Sequence, residues 1–306
     1  MSTRAAVVPE GARTGRVAAT AAVGVRPYAV LTKPGITAYV ALTAVAAAVA
    51  AAPANPATLL AVLVATLLMS SGAAAANHVL ERGPDAAMLR TARRPVASGV
   101  MTAGTATAFA VALTGLGLAV STAALPAVTT AILVLCHITY VAAYTPLKRL
   151  SRSCTAVGAV PGALPVLAGW TAAGAAIDAT ALCLTGVLLL WQMPHFLAIG
   201  WVHRHDYAAA GFRMLMVGDE TGRTTALASA ACALAIIPLS MLPVVAGGLG
   251  TVYLAAAAGL GTAYAAVACH FLAEPAIRRA RALFVASLAF LPLFLAAVMA
   301  DRTLAR

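Results

Sequence analysis

Residues 58–95 read TLLAVLVATLLMSSGAAAANHVLERGPDAAMLRTARRP, and this stretch decides the class of fold. From Thr58 to Ala76 it is an apolar run without a charge. A run of about 17–25 apolar residues is the length that crosses a bilayer as a helix. The character then changes: Asn77, Glu81 and Asp85 recur at four-residue intervals, and Arg82, Arg90, Arg93 and Arg94 interleave with them or follow. Oxygen donors at a membrane edge with cations behind them suit Mg²⁺ and a diphosphate, because Mg²⁺ takes a few carboxylates together with its substrate's phosphates. The alternative reading of this stretch alone is a solvated basic connector that only sets orientation.

Working outward, the same alternation of apolar run and short polar segment fills the chain. Of the 306 residues 62% are hydrophobic and 9% charged, which excludes a soluble globular domain and indicates a polytopic membrane protein. Nine runs read as spans, near Thr37–Ala52, Thr58–Ala76, Val100–Ser121, Val128–Tyr144, Thr155–Ala175, Ala179–Gly200, Thr224–Leu242, Thr251–Ala273 and Leu283–Ala300. The first is short and is expected to extend back to Tyr28 through Lys33-Pro34. The runs are continuous and do not alternate in polarity, so they predict helices and not a barrel. This gives an all-α bundle over residues 28–301, a flexible cytoplasmic tail over 1–27 and a short tail over 302–306. The arginines of the first 27 residues interrupt any signal-peptide core. They also fit an organellar transit peptide, although the Ala-rich bias of the whole chain favours a plain tail.

The net charge of +11 does not point to nucleic acid, because the basic residues sit in short loops between apolar runs. The N-terminal segment and the loops after the second, fourth, sixth and eighth runs carry 18 of the 20 lysines and arginines. The loops after the first, third, fifth and seventh runs carry none. That alternation places the N-terminus in the cytoplasm, or the matrix, and the C-terminus outside. Chemistry is expected on the cytoplasmic face, where the ionisable residues gather. The five cysteines are scattered and without metal-site spacing.

Three further stretches belong to that face. Tyr144–Ala173 (YTPLKRLSRSCTAVGAVPGALPVLAGWTAA) brings Lys148 and Arg149 to the membrane edge. Its Gly158, Gly162 and Gly169 predict close helix packing, and its Pro161 and Pro165 a kink. Leu190–Val217 holds Trp191, Gln192, His195, His203, His205 and Asp206. A histidine inside a span marks a candidate functional site, with a bond to a neighbouring helix as the plainer reading. The spacing of His203, His205 and Asp206 puts neighbours on different helix faces and argues against zinc. Ala29–Thr37 places Lys33-Pro34 before the first span; Lys33 alone reads as well as a snorkelling lysine.

Taken in order, LTKPGI, NHVLERGPDAAMLRTARRP, YTPLKRLSRSCTAVGAVPGALPVLAGW, WQMPHF and HDYAAAGFRML resemble the UbiA superfamily of intramembrane prenyltransferases, and within it the haem branch. The resemblance runs from about residue 29 to 220. It implies a nine-helix UbiA-like bundle that moves the farnesyl group of farnesyl diphosphate onto a vinyl group of haem b. It further implies Mg²⁺ held by Asn77, Glu81 and Asp85, with Asp206 as a candidate for a second ion. Lys33, Arg90, Arg94, Lys148 and Arg149 are implied as diphosphate contacts, and Trp191, His195 and Tyr207 as the haem site. It places the chain in the cytoplasmic (inner) membrane, or the mitochondrial inner membrane in a eukaryote, with haem A synthase or oxidase assembly factors as partners. The chain departs from the family pattern at Glu81, where Asp is common, and at Gly35, Cys154 and His205, where Arg, Asn and an acid are usual. Gly83-Pro84 is expected to break the helix between Glu81 and Asp85, so that the three oxygen ligands do not share one helical face. The rival readings are a UbiA-type enzyme for another acceptor, such as an aromatic acid, a haem-assembly protein without activity, or a transporter. Ionisable residues gathered at one face and not the midplane argue against the last.

Overall fold

Each of the nine apolar runs is a helix in the computed structural model, which describes residues 24–304. The spans are α2 (Pro34–Ala51), α3 (Pro56–Leu80), α5 (Ala103–Ala124), α6 (Ala127–Ile138, carried on by a π-helical turn to α7, Thr145–Leu147), α8 (Cys154–Ala172), α9 (Ala179–Val202), α11 (Arg223–Val245), α12 (Thr251–Ala273) and α13 (Ile277–Leu304). Short helix α1 (Val25–Thr32) precedes the first span, and two more lie between spans, α4 (Arg82–Ala87) and α10 (Arg204–Ala209). No strand occurs among the described residues. The tail expected over residues 1–27 lies outside the described residues up to position 23, and Val25 already belongs to α1.

Local chemistry sets many of the helix ends. Asn55 caps α3 by accepting from Thr58 N at 2.8 Å, with Pro56 at the first position, and Asp178 caps α9 by accepting from Ala181 N at 2.8 Å. The expected continuation of the first span through Lys33 does not occur. Lys33 sits at φ 49°, ψ 60°, the one non-glycine with positive φ among the described residues, and separates α1 from α2. Pro34 supplies the reason: its ring disfavours the right-handed helical conformation in the residue before it. A left-handed lysine costs about 1 kcal/mol or more, and such strain is tolerated where it aims a side chain.

Helices α2, α8, α9 and α13 pack in a closed ring, each touching the next, with the other spans outside it. The predicted small-residue packing is present. A Cβ at Gly169 would collide with the Ala44 carbonyl of α2, one at Gly162 with Gln192 of α9, and one at Gly158 would lie 2.5 Å from the Tyr144 ring. Helix α8 continues through both Pro161 and Pro165. A small cavity at the centre is lined from all four helices, by Ala46, Ala47, Val166, Leu184, Leu188, Phe294, Leu295 and Val298. Because the spans run alternately up and down, the polar segments named above all meet at one end of the bundle.

Candidate active site

Three oxygen-bearing residues and three cations meet at that end, one cation to each. Lys33 Nζ donates to Asn77 Oδ1 at 2.7 Å. Lys148 Nζ donates to Glu81 Oε1 at 2.8 Å. One Arg94 nitrogen reaches both carboxylate oxygens of Asp85, at 2.8 and 2.7 Å. Each pair joins two segments: the α1–α2 break to the end of α3, the loop after α7 to the α3–α4 junction, and the loop after α4 to α4 itself. Asn77, Glu81 and Asp85 are all buried.

The helix break expected at Gly83-Pro84 falls elsewhere. Glu81 is the joint, at φ −96°, ψ 10°, and Gly83 and Pro84 lie inside the first turn of α4. A proline is tolerated there because a first-turn N–H has no helical partner to lose. Across the joint, Glu81 N still donates to Asn77 O at 2.9 Å and Asp85 N to Glu81 O at 2.8 Å. The four-residue register of Asn77, Glu81 and Asp85 therefore survives, and they succeed one another a turn apart.

The segment bearing Lys148 owes its direction to the π-helical turn at Thr139–Tyr144. Such turns add one residue to a helix and are frequent at functional sites. Thr145 Oγ1 donates to the Tyr140 carbonyl five residues back at 2.9 Å and accepts from Asn77 Nδ2 at 3.2 Å. With its proton committed to Tyr140, Thr145 can only accept from Asn77, so the amide turns its oxygen toward Lys33. Sequence reasoning missed Thr145; the visible signal was a hydroxyl before a proline at the end of an apolar run. Lys148 Nζ also lies 4.5 Å from the centre of the Tyr144 ring.

The two lysines differ electrostatically. Burial holds Lys33 below the ordinary lysine range; Tyr140 and Glu81 oppose that shift, while the Arg94 and Lys148 charges add to it. Burial also works against the Lys148 charge, but Tyr144, Glu81 and Tyr140 outweigh it and hold Lys148 above that range. Lys33 bonds a neutral amide and forms no ion pair among the described residues, which suits an incoming anion. The donor set of one amide oxygen and two carboxylates is hard, and no group of three or more His, Cys, Asp or Glu side chains converges among the described residues. That chemistry fits Mg²⁺ completed by substrate oxygens and not an all-protein metal cage.

The remaining candidates lie around this core. Arg90 Nη2 donates to the Tyr207 hydroxyl at 3.1 Å and its guanidinium lies 5.7 Å from that ring, which ties α10 to the loop after α4. Asp206 is partly exposed, 3.6 Å from His203 Nδ1, and bonds none of the three pairs. Burial, followed by the Arg90 charge, keeps His203 below the usual histidine range. Arg149 is exposed and His205 likewise. A Cβ at Gly35 would meet open space, and Cys154 is buried as the first residue of α8. Trp191 and His195 stand apart from the ion pairs, on α9, where Ser287 of α13 bonds both.

A spanning bundle with oxygen ligands and cations gathered at one end defines a class. Residues 37–297 match the model of the UbiA prenyltransferase family, and the chain belongs to that family; it is a multi-span membrane prenyltransferase. The fold is similar to that of a digeranylgeranylglyceryl phosphate synthase (TM-score 0.76, 15% identity, 91% of this chain and 98% of the other). It is also similar to a UbiA homolog from Archaeoglobus fulgidus bound to DMAPP and Mg²⁺ (TM-score 0.65, 14% identity, 89% and 99%). Sequence relatives are narrower in kind. The protoheme IX farnesyltransferase of Koribacter versatilis is 36% identical over 291 residues, covering 91% of this chain and 94% of that protein. The protoheme IX farnesyltransferase of Opitutus terrae is 38% identical over 278 residues, covering 90% and 94%.

Proposed function

We propose that this protein transfers the farnesyl group of farnesyl diphosphate to a vinyl group of haem b, giving haem O and diphosphate. The observation that carries the reading is the set of three cation–oxygen pairs at one end of a UbiA bundle; the acceptor follows from the full-length relatives. Asn77, Glu81 and Asp85 would hold Mg²⁺, and Asp206 is the candidate for a second ion. Bound there, Mg²⁺ supplies Lewis-acid neutralisation of the leaving diphosphate. Lys33, Lys148 and Arg94 turn from the protein's own oxygens to those of the diphosphate, with Arg90 and Arg149 at the rim. Fixed cations at a leaving group act where charge develops as the allylic C–O bond breaks. The vinyl carbon then forms the new C–C bond, and one water adds to the resulting cation and releases a proton. The apolar walls of the spans hold the farnesyl chain and keep bulk water away from the allylic cation. Trp191, His195 and Tyr207 are assigned to the haem side. The alternation of basic loops supports a site on the cytoplasmic face of the inner membrane, with the N-terminus on that side and the C-terminus outside. Haem A synthase or oxidase assembly factors are the partners that would take the product.

The test is an acceptor competition. Purified protein in lipid is given labelled farnesyl diphosphate and Mg²⁺ with haem b, 4-hydroxybenzoate or both. The expected label is in haem alone. Label in the aromatic acid would move the protein to another branch of its family.

A further inference from the structure

Away from the ion pairs, α9 and α13 are joined by a short polar chain inside the membrane. His195 Nδ1 lies 2.7 Å from Ser287 Oγ, and Ser287 Oγ donates to the Phe284 carbonyl of its own helix at 2.5 Å. A carbonyl has no proton to give, so the single hydroxyl proton of Ser287 lies on that second bond. Ser287 can therefore only accept from His195, and Nδ1 must carry the imidazole proton. The lone pair is then on Nε2, the form of a neutral histidine that binds metals. Among the described residues no protein group bonds Nε2. Nor is it sealed in, as both ring nitrogens of His78 are.

The surroundings of the ring are aromatic and apolar. Leu184, Leu188 and His195 follow at spacings of four and seven on one face of α9. The two leucines line the central cavity between α2, α8, α9 and α13, so His195 continues that face toward the cation-rich end. The Trp191 and Phe284 rings lie 5.4 and 5.0 Å from it, tilted by 27° and 34°. Trp191 is itself fixed, its Nε1 donating to Ser287 O at 2.9 Å and its carbonyl accepting from the Tyr264 hydroxyl at 3.2 Å.

We infer that His195 Nε2 is an axial ligand to the iron of the haem acceptor and that Ser287 is the positioning residue that fixes its tautomer. This rests on the haem reading above. One axial bond fixes the face and depth of a flat macrocycle among otherwise apolar walls.

The test is resonance Raman spectroscopy of ferrous haem b bound to the full chain in lipid nanodiscs. The expected wild-type spectrum contains an iron–imidazole band. His195→Ala and His195→Gln lose it and bind haem about tenfold or more weakly, and added imidazole restores it in the alanine variant. Ser287→Ala keeps the band at lower frequency, because the ligand loses the hydrogen bond that raises its basicity, and Ser287→Thr returns it. An unchanged band in both His195 variants overturns the inference and leaves the haem reading standing. Wild-type protein that binds no haem but prenylates an aromatic acid overturns both.

Discussion

The two ends of the bundle use buried acids differently. At the cation-rich end, Glu81 and Asp85 are each held by a lysine or arginine side chain from another segment. At the opposite end, the buried Asp301 of α13 accepts from the backbone N–H groups of Gly250 at 2.6 Å and Tyr253 at 3.0 Å, capping α12. Side-chain partners can turn to a substrate without unfolding a helix; backbone N–H groups have nowhere else to go. The first arrangement is exchangeable and suits a reaction, whereas the second is fixed and contributes to the fold.

That contrast orders the expected effects of mutation. Asp85→Asn removes a carboxylate proposed to hold Mg²⁺ and lowers farnesyl transfer by about 10²–10³-fold, measured as initial rate at saturating substrates. Lys33→Met removes the cation that bonds the Asn77 amide and raises the KM for farnesyl diphosphate by about tenfold or more, with a smaller change in KM for the acceptor. Thr145→Val frees the Asn77 amide to rotate and raises the Mg²⁺ concentration for half-maximal rate by about tenfold, while Thr145→Ser restores it. A Thr145→Val enzyme with unchanged Mg²⁺ dependence would remove Thr145 from the account. At the other end, Asp301→Ala destabilises the protein by about 1 kcal/mol through the lost cap, seen in thermal unfolding, and leaves the specific activity of folded protein unaltered. Loss of activity in that variant without loss of stability would erase the distinction between the ends.

How much of this was legible in the sequence follows from what each feature depends on. The nine spans were visible because length and apolarity alone decide them. Their ends were not, since polarity does not stop a helix at a membrane edge: α3 runs on to Leu80 and carries Asn77 within it, and α13 begins at Ile277 with Arg278, Arg279 and Arg281 already helical. The three oxygen-bearing residues and their spacing were visible, but the joint at Glu81 was misplaced because Pro84 sits where a helix tolerates it. The break at Lys33 could have been found from Pro34, since the constraint is local. The pairing of each oxygen with its cation depends on three-dimensional contacts, as does the role of Thr145. Ser287 was invisible: a serine in an apolar run does not reveal that a histidine 92 residues earlier meets it.

The most direct measurement is the mass of the haem recovered after purified wild-type and Asp85→Asn protein are incubated with haem b, farnesyl diphosphate and Mg²⁺, each with an EDTA control. The account predicts farnesylated haem from the wild type only, abolished by EDTA, with at most a trace from the variant. Equal product from both proteins, or product that survives EDTA, would contradict it.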